Sequence, residues 1–346
     1  MDTLTNMKLL RQLPSPEEVQ QAIPLTADGI AAKARRDVEI ADILSGKDSR
    51  MLLIIGPCSA DREDAVLDYI HRLVPLQEQV KDKLLIVPRI YTGKPRTTGD
   101  GYKGIASQPD PTERPDMVKG LSSMRSLHVR AVNETGLTCA DEMLYPGNDA
   151  YLSDVLSYVA VGARSVENQQ HRLVASGLGC PVGMKNPTSG DLSVMLNSIT
   201  AAQHPHIFSY CNWEVETCGN PLAHAILRGY VDNTGRTRPN YHYEDLMSLY
   251  EQYQAKELQN MAVVVDANHS NSGKRPLQQI RVVNEVLHAC RHSKEISSMV
   301  KGFMVESYLE DGNQAIGGGV YGKSITDPCL GWEKSRQLIL DMAEQL

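Results

Sequence analysis

The feature that most constrains the fold of this chain is a regular alternation of short β-branched runs with longer segments of helical period. Eight runs predict strands at about 51–56, 84–89, 137–142, 159–164, 181–185, 224–228, 262–267 and 301–306. The segments that follow them predict helices at about 63–79, 115–134, 149–158, 167–178, 190–202, 243–259, 275–292 and 330–344. Such alternation produces parallel strands with crossover helices. A count of eight favours an α/β fold closed into a (β/α)8 TIM barrel over an open doubly wound sheet.

Two segments lie outside this alternation. Residues 1–48 have a polar start and a helix predicted from about 26 to 44, with Gly46 as its C-cap, and form an N-terminal extension. Residues 205–221 predict a β-hairpin inserted before the sixth strand. No Gly/Ser-rich linker divides the remainder, so residues 49–346 are predicted to form a single barrel domain.

Composition excludes several classes of function. The formal net charge of −7 disfavours non-specific nucleic-acid binding, so a local basic cluster would be a focused pocket in an acidic body. The sequence shows neither a signal-peptide core nor about eighteen consecutive apolar residues, which predicts a cytoplasmic protein without a membrane span. Seven scattered cysteines without a CxxC pair argue against a disulfide framework or a structural zinc site.

Every predicted strand delivers a chemically competent side chain at its C-terminal end, where barrel enzymes build their sites. These residues are Cys58, Arg89, Glu142, Arg164, Lys185, Arg228, His269 and Glu306. Taken singly, each would more often be a satisfied loop contact than a functional group. Eight of them together reverse that preference and predict a functional site at this end of the barrel.

A basic cluster is centred on the stretch 84–103, where a buried strand runs into a loop rich in Gly, Pro and Thr. Such a cluster more often simply faces water. The cations available are Arg89, Lys94, Arg96, Lys103, Arg164, Lys185 and Arg228. They are too many for a single phosphate. Two phosphates of about −1.5 to −2 charge each and a carboxylate total roughly −4 to −5, which the cluster would neutralise while leaving some cations for positioning. Two anionic substrates therefore fit better than one.

A second constellation combines a thiol, an imidazole and two carboxylates, namely Cys58, His269, Glu306 and Asp327. They come from the first, seventh and eighth strands and the final loop, which are adjacent around a closed barrel. Mixed S, N and O donors suit Mn, Fe, Co or Zn better than Mg or Ca and leave room for a substrate oxygen. Taken alone, Cys58 would more often be a small buried hydrophobe, and His269 would be structural as often as a ligand.

The segment Gly317–Ser324 matches both the GxxxxGK[ST] and the GxGxxG patterns. Its context does not fit a phosphate loop, because the eighth strand ends well before it and Ile325–Pro328 follows in place of a helix N-terminus. No nucleotide cofactor is predicted.

The motifs of the chain resemble, in order, those of type I alpha 3-deoxy-D-arabino-heptulosonate 7-phosphate (DAHP) synthases. The matching segments are 55–59 (IGPCS), 94–98 (KPRTT), 162–164 (GAR), 171–172 (HR), 175–178 (ASGL), 181–186 (PVGMKN), 226–229 (ILRG), 305–307 (VES) and 321–327 (YGKSITD). The resemblance covers nearly everything after residue 50. It implies a barrel enzyme that condenses phosphoenolpyruvate with D-erythrose 4-phosphate and water to give DAHP and phosphate. This reaction opens the shikimate pathway to chorismate and the aromatic amino acids.

The resemblance also implies roles for individual residues. The phosphoenolpyruvate set is Arg89, Lys94, Lys103, Glu142, Gly162, Ala163, Arg164, Lys185 and Arg228. The erythrose 4-phosphate set is Lys94, Pro95, Arg96, Thr97 and Asp327. One divalent ion would be held by Cys58, His269, Glu306 and Asp327, and the groups implied in catalysis are Lys94, Arg89, Cys58 and His269. A homodimer or homotetramer, built partly by the N-terminal extension, is expected.

The chain departs from the family pattern in and around the basic loop. Relatives typically carry Met, Phe-Glu, Trp and Ser where Pro88, Thr92-Gly93, Tyr102 and Asn268 stand here. The hairpin and the N-terminal extension, which form an aromatic amino-acid effector pocket in regulated relatives, match poorly, and Tyr210 replaces a small residue. Weak or absent inhibition by phenylalanine is expected.

Two other functions compete with this one. A 3-deoxy-octulosonate 8-phosphate synthase shares the barrel and the phosphoenolpyruvate chemistry, but its loop typically reads Lys-Ala-Asn-Arg-Ser, unlike residues 94–98 of this chain. A non-catalytic metabolite-sensing paralogue would have no physical need to keep a thiol, an imidazole and two carboxylates together.

Overall fold

The computed structural model describes residues 3–4 and 6–346. Its centre is a parallel sheet whose strands are β1 Met51–Gly56, β2 Leu84–Pro88, β3 Ala140–Glu142, β4 Tyr158–Val161, β5 Val182–Lys185, β6 His224–Leu227, β7 Val263–Asp266 and β8 Val300–Glu306. Strand β8 pairs with β1, and the sheet closes between β2 and β3 through a parallel bridge from Arg89 to Ala140. The predicted (β/α)8 barrel is thereby confirmed.

The helices cover the outside of the barrel and one of its ends. They are α1 Pro16–Ala22, α2 Ala27–Ser45, α3 Glu63–Val80, α4 Met117–Thr135, α5 Gln169–Ala175, α6 Leu192–Gln203, α7 Tyr243–Ala255, α8 His269–Ser272, α9 Gln278–His292, α10 Lys294–Met299 and α11 Trp332–Gln345. A large apolar core fills the space between the strands and this outer layer. Among the described residues, we find no helix with the length and apolar character needed to span a membrane.

The helix predicted at 149–158 is wrong. This segment holds a 3-10 helix, Pro146–Leu152, and Tyr158 already belongs to β4. The apolar spacing that suggested an α-helix is real, because Leu152, Val155 and Leu156 are all buried. The 3-10 helix ends at Leu152, and β4 begins at Tyr158, inside the range predicted to be helical.

The predicted hairpin before the sixth barrel strand is confirmed. Ile207–Tyr210 pairs antiparallel with Trp213–Glu216. Its two turn residues, Cys211 and Asn212, have φ values of +47° and +65°, as a two-residue type I′ turn requires. The sequence did not predict a second, shorter hairpin that pairs Tyr230–Val231 with Thr237–Arg238.

Helix α2 closes the end of the barrel at which the strands begin. Its side chains Ile40, Ile43 and Leu44 belong to the same buried cluster as the inward-facing strand residues. Between β2 and β3 the ladder is short, and the buried side chain of Arg36 bridges the gap. It donates to the Ile86 carbonyl and, over 3.2 Å, to the Thr138 hydroxyl. The polar backbone at this seam is therefore satisfied by a side chain from outside the sheet.

Candidate active site

The opposite end of the barrel, where the strands finish, carries the polar residues. Glu142, Lys185 and Glu306 are the last residues of β3, β5 and β8. Arg89 and Arg228 stand one residue beyond their strands, whereas Cys58, Arg164 and His269 follow theirs by two or three residues. Because all the barrel strands are parallel, these side chains share one end of the barrel.

A buried ion pair lies at the centre of this end. The Arg89 guanidinium and the Glu306 carboxylate are 3.1 Å apart, with exposed side-chain fractions of 2% and 1%. Arg89 also donates to the Pro57 carbonyl and lies over the Tyr91 ring, with the guanidinium carbon 3.6 Å from the ring centroid. Burial favours the neutral form of Glu306, but Arg89 and other nearby cations outweigh it and lower its pKa. The arginine is therefore fixed before any substrate arrives.

A second charged group joins Lys185, Asp266 and His269. Asp266 Oδ2 lies 3.1 Å from Lys185 Nζ and 2.8 Å from His269 Nδ1. Neither contact has hydrogen-bond geometry, so the attraction is electrostatic. Burial favours neutral Asp266, but His269 and Lys185 outweigh it and lower its pKa. His269 has a left-handed backbone, φ +50°, at the start of α8, and its ring lies against Asp266 and Glu306.

Three of the four predicted metal ligands converge. One donor atom each from Cys58, Glu306 and Asp327 lies within 4.8 Å of the other two. His269 Nε2 is 3.7 Å from Glu306 Oε1, beside this group rather than within it. Burial raises the pKa of the Cys58 thiol and the Glu306 charge raises it further. A sulfur and two carboxylates packed this closely, with an imidazole beside them, fit a divalent cation that would neutralise their combined charge.

Lys94 reaches this group from the basic loop. Its Nζ donates to Cys58 Sγ over 2.6 Å. Burial disfavours the charged ammonium, but Cys58, Glu306 and Asp327 outweigh it and raise the pKa of Lys94. Lys94 is therefore charged, and its ammonium lies against the thiol of the Cys58, Glu306 and Asp327 group.

The outer part of the loop is held by its own backbone. Arg96 Nε donates to the Tyr102 carbonyl over 2.8 Å, and Lys103 Nζ donates to the Gly99 carbonyl. Pro95 is half-buried and Thr97 is exposed. The structure does not bring Arg96, Thr97 or Lys103 into the buried group around Glu306. These residues form a second, more exposed basic region beside it.

The remaining predicted residues stand at the ends of β3, β4 and β6, at the same end of the barrel. Gly162 touches Glu142, because a Cβ at this glycine would be 2.2 Å from Glu142 Oε1. Ala163 is half-buried and Arg164 is exposed. Burial lowers the pKa of Arg228, and the nearby charge of Arg164 adds to this effect. Two guanidinium groups that repel each other are typical of a site that binds an anion.

Three residues that contribute to this geometry were not predicted. Asp266 ends β7 inside an apolar run, and only its position in the strand could have indicated it. Tyr91 lies under both Arg89 and Lys185. Asn268 donates to Glu306 Oε2 over 2.7 Å, so it orients that carboxylate on the side opposite Arg89.

Comparison with known proteins identifies the family of this chain. The model of the DAHP synthetase I family matches residues 22–339. The chain belongs to the DAHP synthetase I family. It is 40% identical over 339 residues to a Trp-sensitive phospho-2-dehydro-3-deoxyheptonate aldolase from Enterobacter agglomerans, covering 96% of this chain and 93% of that protein. It is 38% identical over 345 residues to the Phe-sensitive enzyme of Escherichia coli strain K12, covering 97% and 95%.

A solved structure extends the agreement to three dimensions. The phospho-2-dehydro-3-deoxyheptonate aldolase of Francisella tularensis SCHU S4 superposes with a TM-score of 0.91 at 32% identity, covering 98% of both chains. The family resemblance read from the motifs is confirmed.

Proposed function

We propose that this protein condenses phosphoenolpyruvate with D-erythrose 4-phosphate and water to give DAHP and phosphate, the first step of the shikimate pathway. The observation that carries the proposal is that Arg89, Lys185 and Arg228 lie buried at the same barrel end as the Cys58, Glu306 and Asp327 group. Family membership supports the same reaction. Both substrates are small phosphorylated compounds, which this concentration of cations suits.

Phosphoenolpyruvate would occupy the buried part of the site. Arg89, Lys185 and Arg228 would bind its carboxylate and phosphate, with Arg164 and Lys103 closing over them. Glu142, Gly162 and Ala163 would form the adjoining wall. Since Arg89 and Lys185 are already held by Glu306 and Asp266, little side-chain freedom remains to be lost on binding.

Erythrose 4-phosphate would bind beside it, on the loop. Arg96 and Thr97 would hold its phosphate, Pro95 would shape the turn, and Asp327 would lie near its reacting end. The Arg96 guanidinium uses one N–H on Tyr102, which leaves donors for a phosphate.

Cys58, His269, Glu306 and Asp327 would hold one divalent metal ion of the Mn, Fe, Co or Zn class. When bound, such an ion supplies a Lewis acid that polarises the aldehyde of the sugar phosphate. We infer that activity depends on it. His269 would be the fourth ligand, because its Nε2 lies beside Glu306.

In the reaction, C3 of phosphoenolpyruvate bonds to the aldehyde carbon, water adds at C2, and the C2–O bond to phosphate breaks. Lys94 would give its proton to the alkoxide formed at the aldehyde oxygen, since it is charged and close to that position. Arg89, Lys185 and Arg228 would stabilise the departing phosphate. We expect Lys94→Met to lower kcat strongly in steady-state kinetics, and unchanged turnover would contradict this role.

We further propose a homodimer or homotetramer built partly by residues 1–48. Met7, Leu9, Leu10 and Leu13 expose apolar side chains on this extension, and Ile207 and Trp213 do so on the inserted hairpin. Covering such residues favours association. Sedimentation of the full-length protein tests this, and a monomer at micromolar concentration would contradict it.

One assay separates the proposed function from its rivals. Loss of the phosphoenolpyruvate enol absorbance is followed with erythrose 4-phosphate or with arabinose 5-phosphate, before and after treatment with a chelator. We expect loss with erythrose 4-phosphate only, abolished by the chelator and restored by metal. Preference for arabinose 5-phosphate would indicate a 3-deoxy-octulosonate 8-phosphate synthase. Inactivity with both sugars after metal restoration would indicate a sensor.

A further inference from the structure

Thr92 makes an unusual double contact at the foot of the basic loop. It gives its backbone N–H to Asp141 Oδ1 over 2.9 Å and its hydroxyl to Asp141 Oδ2 over 2.5 Å. Thr92 and Asp141 are 2% and 3% exposed. One threonine therefore uses both oxygens of a buried carboxylate on the neighbouring strand β3.

The loop leaves and returns at this threonine. The Lys94 N–H donates to the Lys103 carbonyl over 3.0 Å, and the Ala106 N–H donates to the Thr92 carbonyl over 3.1 Å. Gly104 has φ +91°, and a Cβ there would lie 2.2 Å from the Thr92 oxygen, so only glycine fits. Residues 94–103 thus form a closed loop whose two ends meet at Thr92.

Asp141 is itself held on its other sides. It accepts from the Glu142 N–H over 2.7 Å, and His128 Nε2 of helix α4 lies 3.2 Å from its Oδ2. The carboxylate is therefore fixed to β3 and to the helix behind it. A bond to Asp141 ties the loop to the rigid part of the barrel.

We propose that Thr92 and Asp141 are positioning residues that pin the base of the 94–103 loop to β3 and thereby set where Arg96 and Thr97 meet the sugar phosphate. This inference rests on the proposed function. Neither residue belongs to the predicted substrate or metal sets. Both act through the loop they hold.

The contact between Thr92 and Asp141, here called the pin, should affect the binding of the two substrates unequally. Without it, the loop samples more conformations, and binding of erythrose 4-phosphate must supply the free energy that orders it. Phosphoenolpyruvate relies mainly on Arg89, Lys185 and Arg228, which stand at the ends of barrel strands outside the loop, and the loop adds only Lys94 and Lys103 to its set. Loss of the pin therefore weakens the sugar phosphate more than phosphoenolpyruvate.

The test compares Thr92→Val with Thr92→Ser and wild type in the metal-loaded enzyme. Valine keeps the volume and the backbone N–H but loses the hydroxyl, whereas serine retains it. We expect the KM for erythrose 4-phosphate to rise about ten-fold in Thr92→Val, as for one lost hydrogen bond to a charged group. The KM for phosphoenolpyruvate should stay near its wild-type value in Thr92→Val, and both KM values should stay near wild type in Thr92→Ser.

A matched control removes a similar contact elsewhere. Thr234 donates its hydroxyl to Asp232 over 2.6 Å and also bonds through its N–H, but in an exposed turn. Thr234→Val should leave both KM values unchanged. Hydrogen exchange, measured without substrates, should show faster exchange at residues 94–103 in Thr92→Val only.

These readouts separate the pin from the proposed function. If wild type fails to condense the two substrates, the proposed function is wrong. Hydrogen exchange at residues 94–103 then still tests whether Thr92 and Asp141 hold the loop. If wild type is active but Thr92→Val leaves hydrogen exchange at residues 94–103 unchanged, Thr92 does not hold the loop and the inference is wrong. An equal rise in both KM values would also overturn it, because it would show a general disturbance of the site.

Discussion

The two ends of this barrel differ in the kind of interaction that they bury. At the end where the strands begin, α2 covers an apolar interior, and the one buried guanidinium described there, that of Arg36, donates to a backbone carbonyl and a hydroxyl. At the end where the strands finish, Arg89, Lys185, Glu306 and Asp266 place charges against each other in a buried pocket.

The difference separates stability from function within one fold. Burying paired charges gains little stability, because desolvation offsets much of their attraction. Buried charges of this kind therefore indicate a role in binding or catalysis rather than in stability. Apolar contacts and satisfied backbone groups at the other end stabilise the barrel directly. Substitutions at the two ends should therefore affect different measurements.

The largest effect is expected at the functional end. Arg89→Lys keeps a positive charge but loses the planar group that contacts Glu306, Pro57 and the Tyr91 ring. We expect kcat/KM for phosphoenolpyruvate to fall about 10²- to 10³-fold, as when a preorganised donor is removed. Steady-state kinetics measures this. Arg62→Lys, at an exposed surface pair with Asp64, is the control and should be silent.

The next effect is expected at the stabilising end. Arg36→Met keeps most of the side-chain volume but removes the donors to Ile86 and Thr138. The unsatisfied carbonyl should lower the free energy of unfolding by about 1–3 kcal/mol. Urea denaturation measures it, while kcat/KM should hold. Arg35→Met, on the exposed side of the same helix, should change neither. A loss of activity in Arg36→Met without loss of stability would contradict the assignment of stability to this end of the barrel.

The pH dependence of stability should also arise at the end of the barrel where the strands begin. His224 is buried, its Nδ1 faces the Leu222 carbonyl at 2.8 Å, and its Nε2 lies 2.7 Å from the Tyr158 hydroxyl. Burial lowers its pKa to about 4. The unfolded chain takes up a proton near its ordinary pKa of about 6.5 and the folded chain does not, so stability is present above that pH and falls below it.

The slope of unfolding free energy against pH measures this effect. Between about pH 6 and 4.5, wild type should lose up to about 1.4 kcal/mol per pH unit more than His224→Gln. Equal slopes for the two proteins would show that His224 does not titrate on unfolding.

The smallest effect is expected on the side of the barrel, away from both ends. Tyr210 of the inserted hairpin donates to the Pro146 carbonyl over 3.0 Å, and its ring borders a cavity of about 290 Å³ next to α1. Since the ring takes up space in this region, phenylalanine should inhibit wild type weakly or not at all. Tyr210→Ser should leave uninhibited turnover unchanged. A strong phenylalanine inhibition curve for wild type would refute this expectation.

Much of the fold could be predicted because alternation and strand direction are local properties of the sequence. Strand β1 was predicted with the bounds it has, since its run of apolar residues stops at Gly56. The helix predicted at 149–158 is wrong although its apolar spacing is correct, because the chain returns to the sheet there and enters β4. Short elements such as α1 depend on local contacts, here a capping box between Ser15 and Glu18, and apolar periodicity does not indicate them.

The site was predictable only in part, for a similar reason. Parallel pairing places strand-end residues together, so Arg89, Lys185 and Glu306 could be grouped without a structure. Contacts between loops cannot be read that way. The bond from Thr92 to Asp141 joins residues 49 positions apart, and nothing in the local pattern of either residue indicates the other.

The most direct test of the account is product analysis of the metal-loaded wild-type enzyme with equal amounts of phosphoenolpyruvate and erythrose 4-phosphate. Phosphorus NMR and mass spectrometry would quantify every phosphorylated species. We expect one DAHP and one inorganic phosphate for each phosphoenolpyruvate consumed, and no phosphate release when erythrose 4-phosphate is omitted. Release of phosphate without the sugar, or no seven-carbon product with it, would contradict the account.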